Sequence, residues 1–122
     1  MQELETIKLN NVEYVRADQL SQKATSTDGL QYVIVRTYSA GVHAGYLKSR
    51  DGKEVELLSS RRFYRWYGSS TLSQLAQSGT SQPSKCKFPE AVDKIILTEA
   101  IEIIDVTEKA KKTIDAVAIW KI

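Results

Sequence analysis

The sequence predicts an α+β domain in which an antiparallel β-sheet meander is accompanied by two or three helices, mainly in the C-terminal half. Its 122 residues are the length of one ordinary domain. From Leu30 to Leu58, runs of β-branched and aromatic residues alternate with residues typical of tight turns. In later segments, helix-capping residues precede apolar residues at helical spacing. Apolar residues make up 42% and charged residues 26% of the chain, which suits a globular protein with a real core.

The first 29 residues are predicted to be separate from the main body. Within Met1–Leu20, two short alternating runs flank the turn-forming pair Asn10-Asn11, and a short helix or turn follows at Ala17–Leu20. Ser21–Gly29 is polar and indicates a linker. We therefore expect an N-terminal hairpin segment with a linker over residues 1–29, and a single α+β ligand-binding domain over residues 30–122.

The main body is predicted to begin with a three-stranded meander. Leu30–Tyr38 is β-branched and aromatic without Gly or Pro, which favours a strand. Val42–Ser49 predicts the second strand and Glu54–Leu58 the third. Between them, Arg50–Lys53 contains Asp-Gly, the pair that supplies the positive φ of a hairpin turn.

The next segments are predicted to be more helical. Ser60 is placed to cap a helix over Arg61–Gly68, although the four aromatic residues there also suit a strand. Ser70–Ser78 has helical spacing and ends at Gly79, a common helix stop. Thr80–Pro89 is predicted to be a loop.

The end of the chain is predicted to hold one long strand and one helix. Val92–Val106 contains a long apolar run with imperfect alternation, which indicates a single strand with a bulge. Thr107 is placed to cap a helix over Glu108–Ala116, with an acidic first turn and lysines later.

Composition excludes several classes of function. His43 and Cys86 are the only residues of their types, so no internal disulfide, cysteine-based zinc site or cofactor is expected, and Cys86 is predicted to be a buried, inert thiol. The net charge of +2 is too small for a histone-like nucleic-acid binder. No apolar run is long enough for a membrane span, and no secretory signal is expected. No catalytic motif is present, so we predict no catalytic residues.

The strongest local signal is a basic and aromatic stretch between Leu57 and Pro89, which contains no carboxylate. Its basic residues are Arg61, Arg62, Arg65, Lys85 and Lys87, and its clustered aromatic residues are Phe63, Tyr64, Trp66 and Tyr67. Guanidinium groups bind phosphate and aromatic rings stack on nucleobases, so this pattern is typical of a nucleotide site. The alternative is that Phe63 and Trp66 enter the core while the arginines extend to solvent.

Other candidate residues carry weaker signals. Lys85, Lys87 and Phe88 lie on the predicted loop and could close over an anion, although the pattern slightly favours a solvated loop with the Phe88 ring buried in the body. His43 lies in a glycine-containing hairpin, where a structural role is more common than a ligand-binding one. Glu99 interrupts an apolar strand face, so it is either a register-setting residue with a buried partner or an acceptor for ribose hydroxyls.

Three segments resemble the phage anti-Thoeris proteins that act as sponges. They are VIVRTYSAGVHAGYLKSRDGKEV at Val33–Val55, SSRRFYRWYGSSTLSQLA at Ser59–Ala76 and ILTEAIEIIDVTEKAKKTID at Ile96–Asp115. The resemblance implies capture, without turnover, of a glycocyclic ADP-ribose signal made by a bacterial TIR-domain enzyme in the host bacterial cytoplasm. It also implies a homo-oligomer, at least a dimer, that sometimes binds cyclic oligonucleotides.

Together these observations predict non-catalytic sequestration of a cyclic ADP-ribose-type immune signal, which blocks Thoeris anti-phage defence. The expected partner is this small molecule, with no membrane, no metal and no obligatory nucleic acid. The predicted ligand-binding residues are Arg61, Arg62, Phe63, Trp66, Lys85, Lys87, Phe88, His43 and Glu99. The alternatives are a small phage nucleic-acid-binding protein, a protein that binds cyclic oligonucleotides, and a hydrolase acting on cyclic nucleotides.

Overall fold

A computed structural model describes residues 22–121, and its five-stranded antiparallel sheet and two helices confirm the α+β class. Both helices lie in the C-terminal half of the chain, as predicted, and the first three strands form the predicted meander. The elements are β1 (Tyr32–Thr37), β2 (Val42–Asp51), β3 (Glu54–Phe63), α1 (Leu72–Ser78), β4 (Val92–Leu97), β5 (Ala100–Asp105) and α2 (Glu108–Asp115), with a 3₁₀ turn at Pro83–Lys85.

The sheet is strongly curled because two consecutive strands form its opposite edges. The strand order is β4-β3-β2-β1-β5, yet only Thr98 and Glu99 separate the end of β4 from the start of β5. Three Cα–Cα steps span at most about 11 Å, so the two edges approach each other closely. The Ala100 amide also donates to the Lys53 carbonyl at 3.0 Å, which ties β5 to the β2–β3 hairpin. The prediction of one strand over Val92–Val106 is therefore wrong.

The two surfaces of the sheet bury separate apolar clusters. The inner cluster consists of residues from four of the strands: Val33, Val35, Val55, Leu57, Leu97 and Ala100. The outer cluster joins the sheet to both helices and includes Tyr32, Ile34, Ala44, Phe63, Leu75, Phe88, Ala110 and Ile114. A residue's position in the strand alternation therefore decides whether its side chain faces the inside of the curl or the helices.

A bulge in β3 resets this alternation. Ser59 adopts a left-handed conformation with φ of 50°, and Ser59 and Ser60 together lie opposite Gly45. A Cβ on Gly45 would lie 3.0 Å from the Leu58 carbonyl oxygen, so a larger residue would require the two strands to shift apart. After the bulge β3 continues to Phe63. The strand interpretation of this stretch is thus confirmed only as far as Phe63, and the helix beginning at Ser60 is wrong.

The predicted helix signals agree with the structure. The Thr71 side chain accepts a hydrogen bond from the Gln74 amide to begin α1, and Gly79 ends it with φ of 80°. Thr107 caps α2 by accepting from the Ala110 amide at 3.1 Å. These caps satisfy backbone N–H groups that the first helical turn leaves without partners.

Part of the predicted linker packs along the body. The Ala24 amide donates to the Val106 carbonyl at 2.9 Å, and the Tyr32 amide donates to the Ala24 carbonyl at 2.8 Å. Ala24 is buried in the outer cluster. The strands predicted within Met1–Leu20 lie outside the described residues. Between residues 22 and 121, no helix has the length and apolar character needed to cross a membrane.

Candidate ligand-binding groove

A groove on the helix-facing side of the sheet, between α2 and strands β1 to β3, brings charged and aromatic side chains together. Its cavity measures about 310 Å³. Its lining residues are Tyr32, Tyr46, Ser59, Arg61, Ala91, Lys111, Asp115, Val117 and Ile119. We call this cavity the α2 groove.

Lys111 is the central cation of the α2 groove. Its Nζ lies 2.7 Å from Asp115 Oδ2, 4.9 Å from the centroid of the Tyr32 ring and 5.6 Å from that of Tyr46. The two tyrosine rings meet edge to face, with centroids 5.0 Å apart. The ammonium group is thus held by one carboxylate and by the negative faces of two rings.

A second hollow of about 200 Å³ adjoins the α2 groove and shares Tyr46, Lys111 and Asp115 with it. It continues along α2 past Lys112 and Glu108. Ligand pockets usually measure about 300–1,000 Å³, so the two hollows together fall within the range of a small-molecule site.

The electrostatics of the groove hold its groups in fixed protonation states. Burial, assisted by the Asp115 charge, raises the pKa of the Tyr32 phenol. Burial lowers the pKa of Lys111, but the hydrogen bond and charge of Asp115 outweigh it, so the pKa is raised overall. Burial lowers the pKa of Arg61, although a guanidinium stays protonated in proteins. Near neutral pH, Tyr32 is therefore neutral, and Lys111 and Arg61 are cations.

Arg61 lies in the groove, but its guanidinium group donates mainly to backbone carbonyls. Its Nε donates to the Pro89 carbonyl, its Nη1 to that of Ile114, and its Nη2 to those of Phe88 and Val117, at 2.8 to 3.2 Å. Its guanidinium carbon also lies 5.4 Å from the centroid of the Phe88 ring. Arg61 thus connects β3 to the end of α2 and to the 88–89 segment.

Arg62 and His43 lie together on the other surface of β3 and β2, away from the α2 groove. They face each other across the two strands, and both contact the Ala40 carbonyl oxygen: Arg62 Nη1 at 2.8 Å and His43 Nε2 at 2.9 Å. Because a carbonyl can only accept, His43 Nε2 carries the proton. Burial, followed by the nearby Arg62 charge, lowers the pKa of His43.

Three of the predicted aromatic ligand-binding residues pack in or against the core. Phe63 and Phe88 are buried and stack on each other, with centroids 4.1 Å apart. Trp66 is half-buried and packs against the same outer cluster. The alternative interpretation, in which Phe63 and Trp66 face the core instead of a ligand, is therefore confirmed for these two rings.

The exposed part of the basic and aromatic stretch lies elsewhere. Tyr64 is exposed and stacks on Trp120, with centroids 5.1 Å apart and planes 6° apart. Lys87 Nζ lies 5.5 Å from the Trp120 centroid, and Arg65 pairs with Lys87 through the backbone. Lys85 is exposed at the end of the 3₁₀ turn.

Glu99 does not interrupt an apolar strand face, so that premise is wrong. It is exposed in the two-residue connection between β4 and β5, where its Oε1 accepts a hydrogen bond from Ser39 Oγ at 2.8 Å. Its carbonyl accepts from the Tyr38 amide at 3.0 Å. Glu99 thus joins the edge connection to the β1–β2 hairpin.

The structure therefore disperses the predicted site residues. Of the nine, Arg61 lines the α2 groove, whereas Arg62 and His43 line a separate small cavity. Sequence reasoning missed Lys111 and Asp115, although their i,i+4 spacing on a capped helix was a readable signal.

Cys86 is buried, as predicted. In the described part of the chain, no three His, Cys, Asp or Glu side chains are grouped closely enough to hold a metal ion.

Residues 30–114 match the family model described as a domain of unknown function, DUF6948. The match covers more than half of the chain and includes all five strands and both caps. Comparison with curated proteins gave no match, and comparison with solved structures gave none either.

Proposed function

For this chain, which belongs to the DUF6948 family, we propose non-catalytic sequestration of a cyclic ADP-ribose-type immune signal in the α2 groove. The ligand is glycocyclic ADP-ribose, and its capture in the host bacterial cytoplasm blocks Thoeris defence. The supporting observation is the position of Lys111, a cation 2.7 Å from Asp115 and 4.9 Å from the centroid of the Tyr32 ring.

The groove offers a group for each part of such a ligand. Lys111 provides a charge-assisted donor for the diphosphate. The half-buried Tyr46 ring provides an aromatic surface for adenine. The Asp115 carboxylate accepts hydrogen bonds from ribose hydroxyls, the role that sequence reasoning gave to Glu99.

The size of the groove supports a shared site. At about 310 Å³ it lies near the lower limit for small-molecule pockets, and one side is open to solvent. A sponge that outcompetes a host effector needs a Kd near 1 nM, about −12 kcal/mol, which an open groove does not provide. We therefore include a homo-oligomer in the proposal, with a second copy covering the ligand.

The protonation states in the groove favour holding the ligand over cleaving it. A general base must be able to accept a proton near the working pH. Lys111 and Tyr32 have raised pKa values, so Lys111 remains charged and Tyr32 remains a phenol. Asp115 Oδ2 accepts a hydrogen bond from the Lys111 ammonium group, and the carboxylate keeps further acceptor positions for ribose hydroxyls.

The direct test is native mass spectrometry of the chain produced alongside an active Thoeris TIR enzyme. We expect a bound mass equal to intact glycocyclic ADP-ribose, and heating should release the same molecule. Release of a hydrolysed product would favour the cyclic-nucleotide hydrolase instead. A chain that carries no nucleotide would contradict sequestration.

A matched pair of variants on α2 tests whether the ligand lies in the groove. Lys111→Met keeps the apolar stem but removes the ammonium group, and should weaken binding about 10- to 100-fold by calorimetry. Lys109→Met is the control, because Lys109 is exposed and does not line the groove. Equal losses in the two variants would place the ligand elsewhere. Cyclic oligonucleotides titrated into the same proteins test the alternative ligand class.

A second candidate function, nucleic-acid binding, is favoured by the exposed Tyr64–Trp120 stack with Lys87 beside it. Stacked rings next to cations are typical of single-strand binding surfaces. This function predicts that affinity for an oligonucleotide falls steeply with salt and that Lys87→Ala lowers the slope. Capture in the α2 groove predicts no change in ligand affinity for Lys87→Ala.

A further inference from the structure

We propose that the small cavity between β2, β3 and β4, on the surface of the sheet away from the α2 groove, binds a short-chain monocarboxylate. The cavity measures about 100 Å³ and is lined by His43, Ser60, Arg62, Pro89, Glu90, Val92 and Ile95. It shares no lining residue with the α2 groove. The inference is therefore independent of the proposed function.

The first observation is a buried hydroxyl without a partner. Ser60 is only 2% exposed, and its Oγ makes no hydrogen bond with any group of residues 22–121. Buried polar atoms in native proteins nearly always have a partner, so an unpartnered hydroxyl in a cavity wall needs an explanation, and a ligand atom in the cavity provides one. The Ser59 bulge is what turns Ser60 toward this cavity.

The second observation is an arginine that lines the same cavity as that hydroxyl. Arg62 lies two residues after Ser60 on the same surface of β3, and within the described chain it uses Nη1 to bind the Ala40 carbonyl. A guanidinium has five N–H donors in a planar fork that matches a carboxylate. Arg62 and Ser60 can thus donate to the two oxygens of one carboxylate.

His43 lines the cavity as a neutral imidazole. Its Nε2–H is bound to the Ala40 carbonyl at 2.9 Å, and burial and the Arg62 charge both oppose its protonation. A neutral imidazole leaves Arg62 as the only cation among the lining residues. Arg62 therefore supplies the positive charge that an anion in this cavity would meet.

The remaining lining residues limit the size and the charge of the ligand. Pro89, Val92 and Ile95 supply an apolar side, suited to a short alkyl chain. A volume of about 100 Å³ equals roughly three water molecules and has no room for a nucleoside. Glu90 lines the cavity as well, and its carboxylate repels a dianionic phosphate more strongly than a monoanion.

The test is an NMR titration of the full chain with sodium propionate at constant ionic strength. We expect saturable shifts of the Ser60 and Arg62 amides, and no saturation with inorganic phosphate. An acetylated peptide ending in alanine presents the same carboxylate on a larger molecule and should not saturate. Tighter binding of phosphate, or equal binding of the peptide, would overturn the assignment to a free monocarboxylate.

Two variants and one control locate the binding. Ser60→Ala should weaken propionate binding about tenfold, and Arg62→Gln should weaken it by about 10- to 100-fold. Arg50→Gln, in the exposed β2–β3 hairpin, should bind as the unchanged protein does. Thermal melts confirm that each variant is folded. Unchanged affinity in folded Ser60→Ala and Arg62→Gln would refute the site.

Discussion

Arg61 and Arg62 are adjacent in sequence, and replacing each by alanine should have very different effects on stability. Arg61 makes four hydrogen bonds to the carbonyls of Phe88, Pro89, Ile114 and Val117. Arg62 is exposed and, among the residues that the structure describes, makes one hydrogen bond, to the Ala40 carbonyl in the β1–β2 hairpin. Arg61→Ala thus removes the connection between β3 and the end of α2.

The magnitude follows from these bonds. A hydrogen bond contributes roughly 1 kcal/mol net, and a carbonyl left without a partner adds to the loss. Four bonds give about 3–4 kcal/mol for Arg61→Ala, against about 1 kcal/mol or less for Arg62→Ala. In a domain of about 100 residues, 1 kcal/mol shifts Tm by roughly 4–8 °C. Arg61→Ala should therefore lower Tm by roughly 12–32 °C.

Differential scanning calorimetry and urea denaturation measure this difference directly. Arg61→Lys keeps a positive charge but loses the planar fork, so it should recover only a small part of the stability. If Arg61→Ala melts within about 5 °C of Arg62→Ala, the connecting role of Arg61 is refuted. Its guanidinium would then be free to bind phosphate, as the basic stretch first suggested.

Three further perturbations test other parts of the fold. Gly45→Ala places a Cβ 3.0 Å from the Leu58 carbonyl oxygen, so the urea midpoint should fall with an unchanged m-value. Thr107→Ala removes the hydroxyl that accepts from the Ala110 amide, and should cost about 1–2 kcal/mol in urea denaturation followed by far-UV circular dichroism. Burial lowers the pKa of His43 in the folded state, so the unfolded chain binds the proton more readily. The stability that this provides is present above the ordinary value of 6.5 and is lost as the pH falls below it. His43→Asn should flatten that dependence in urea denaturation from about pH 5 to 8.

Local signals predicted the local parts of the fold. The Asp51-Gly52 turn, the Thr107 cap and the Gly79 stop depend on neighbouring residues, and each lies where it was expected. The division between β4 and β5 does not depend on local chemistry, because Thr98 and Glu99 carry no Gly or Pro signal. The chain breaks there because β4 and β5 lie at opposite edges of the same sheet.

The candidate site was harder to predict for a related reason. Arg61 and Arg62 have the same chemistry, and only the bulge at Ser59 decides which of them faces the helices. Nothing in the local sequence requires a left-handed serine there, because the bulge depends on its pairing with Gly45 across two strands. Composition could therefore identify the basic stretch without assigning its side chains.

The pairing of β1 with β5 has a consequence for synthesis of the chain on the ribosome. Val33 pairs with Asp105, so one edge of β1 has no partner strand until β5 has been synthesised. Contacts this distant in sequence slow folding, and nascent β1 to β3 expose open edges until then. A transcript truncated before residue 100 should therefore yield an aggregating or degraded fragment, and co-translational folding should finish only after β5 has left the exit tunnel.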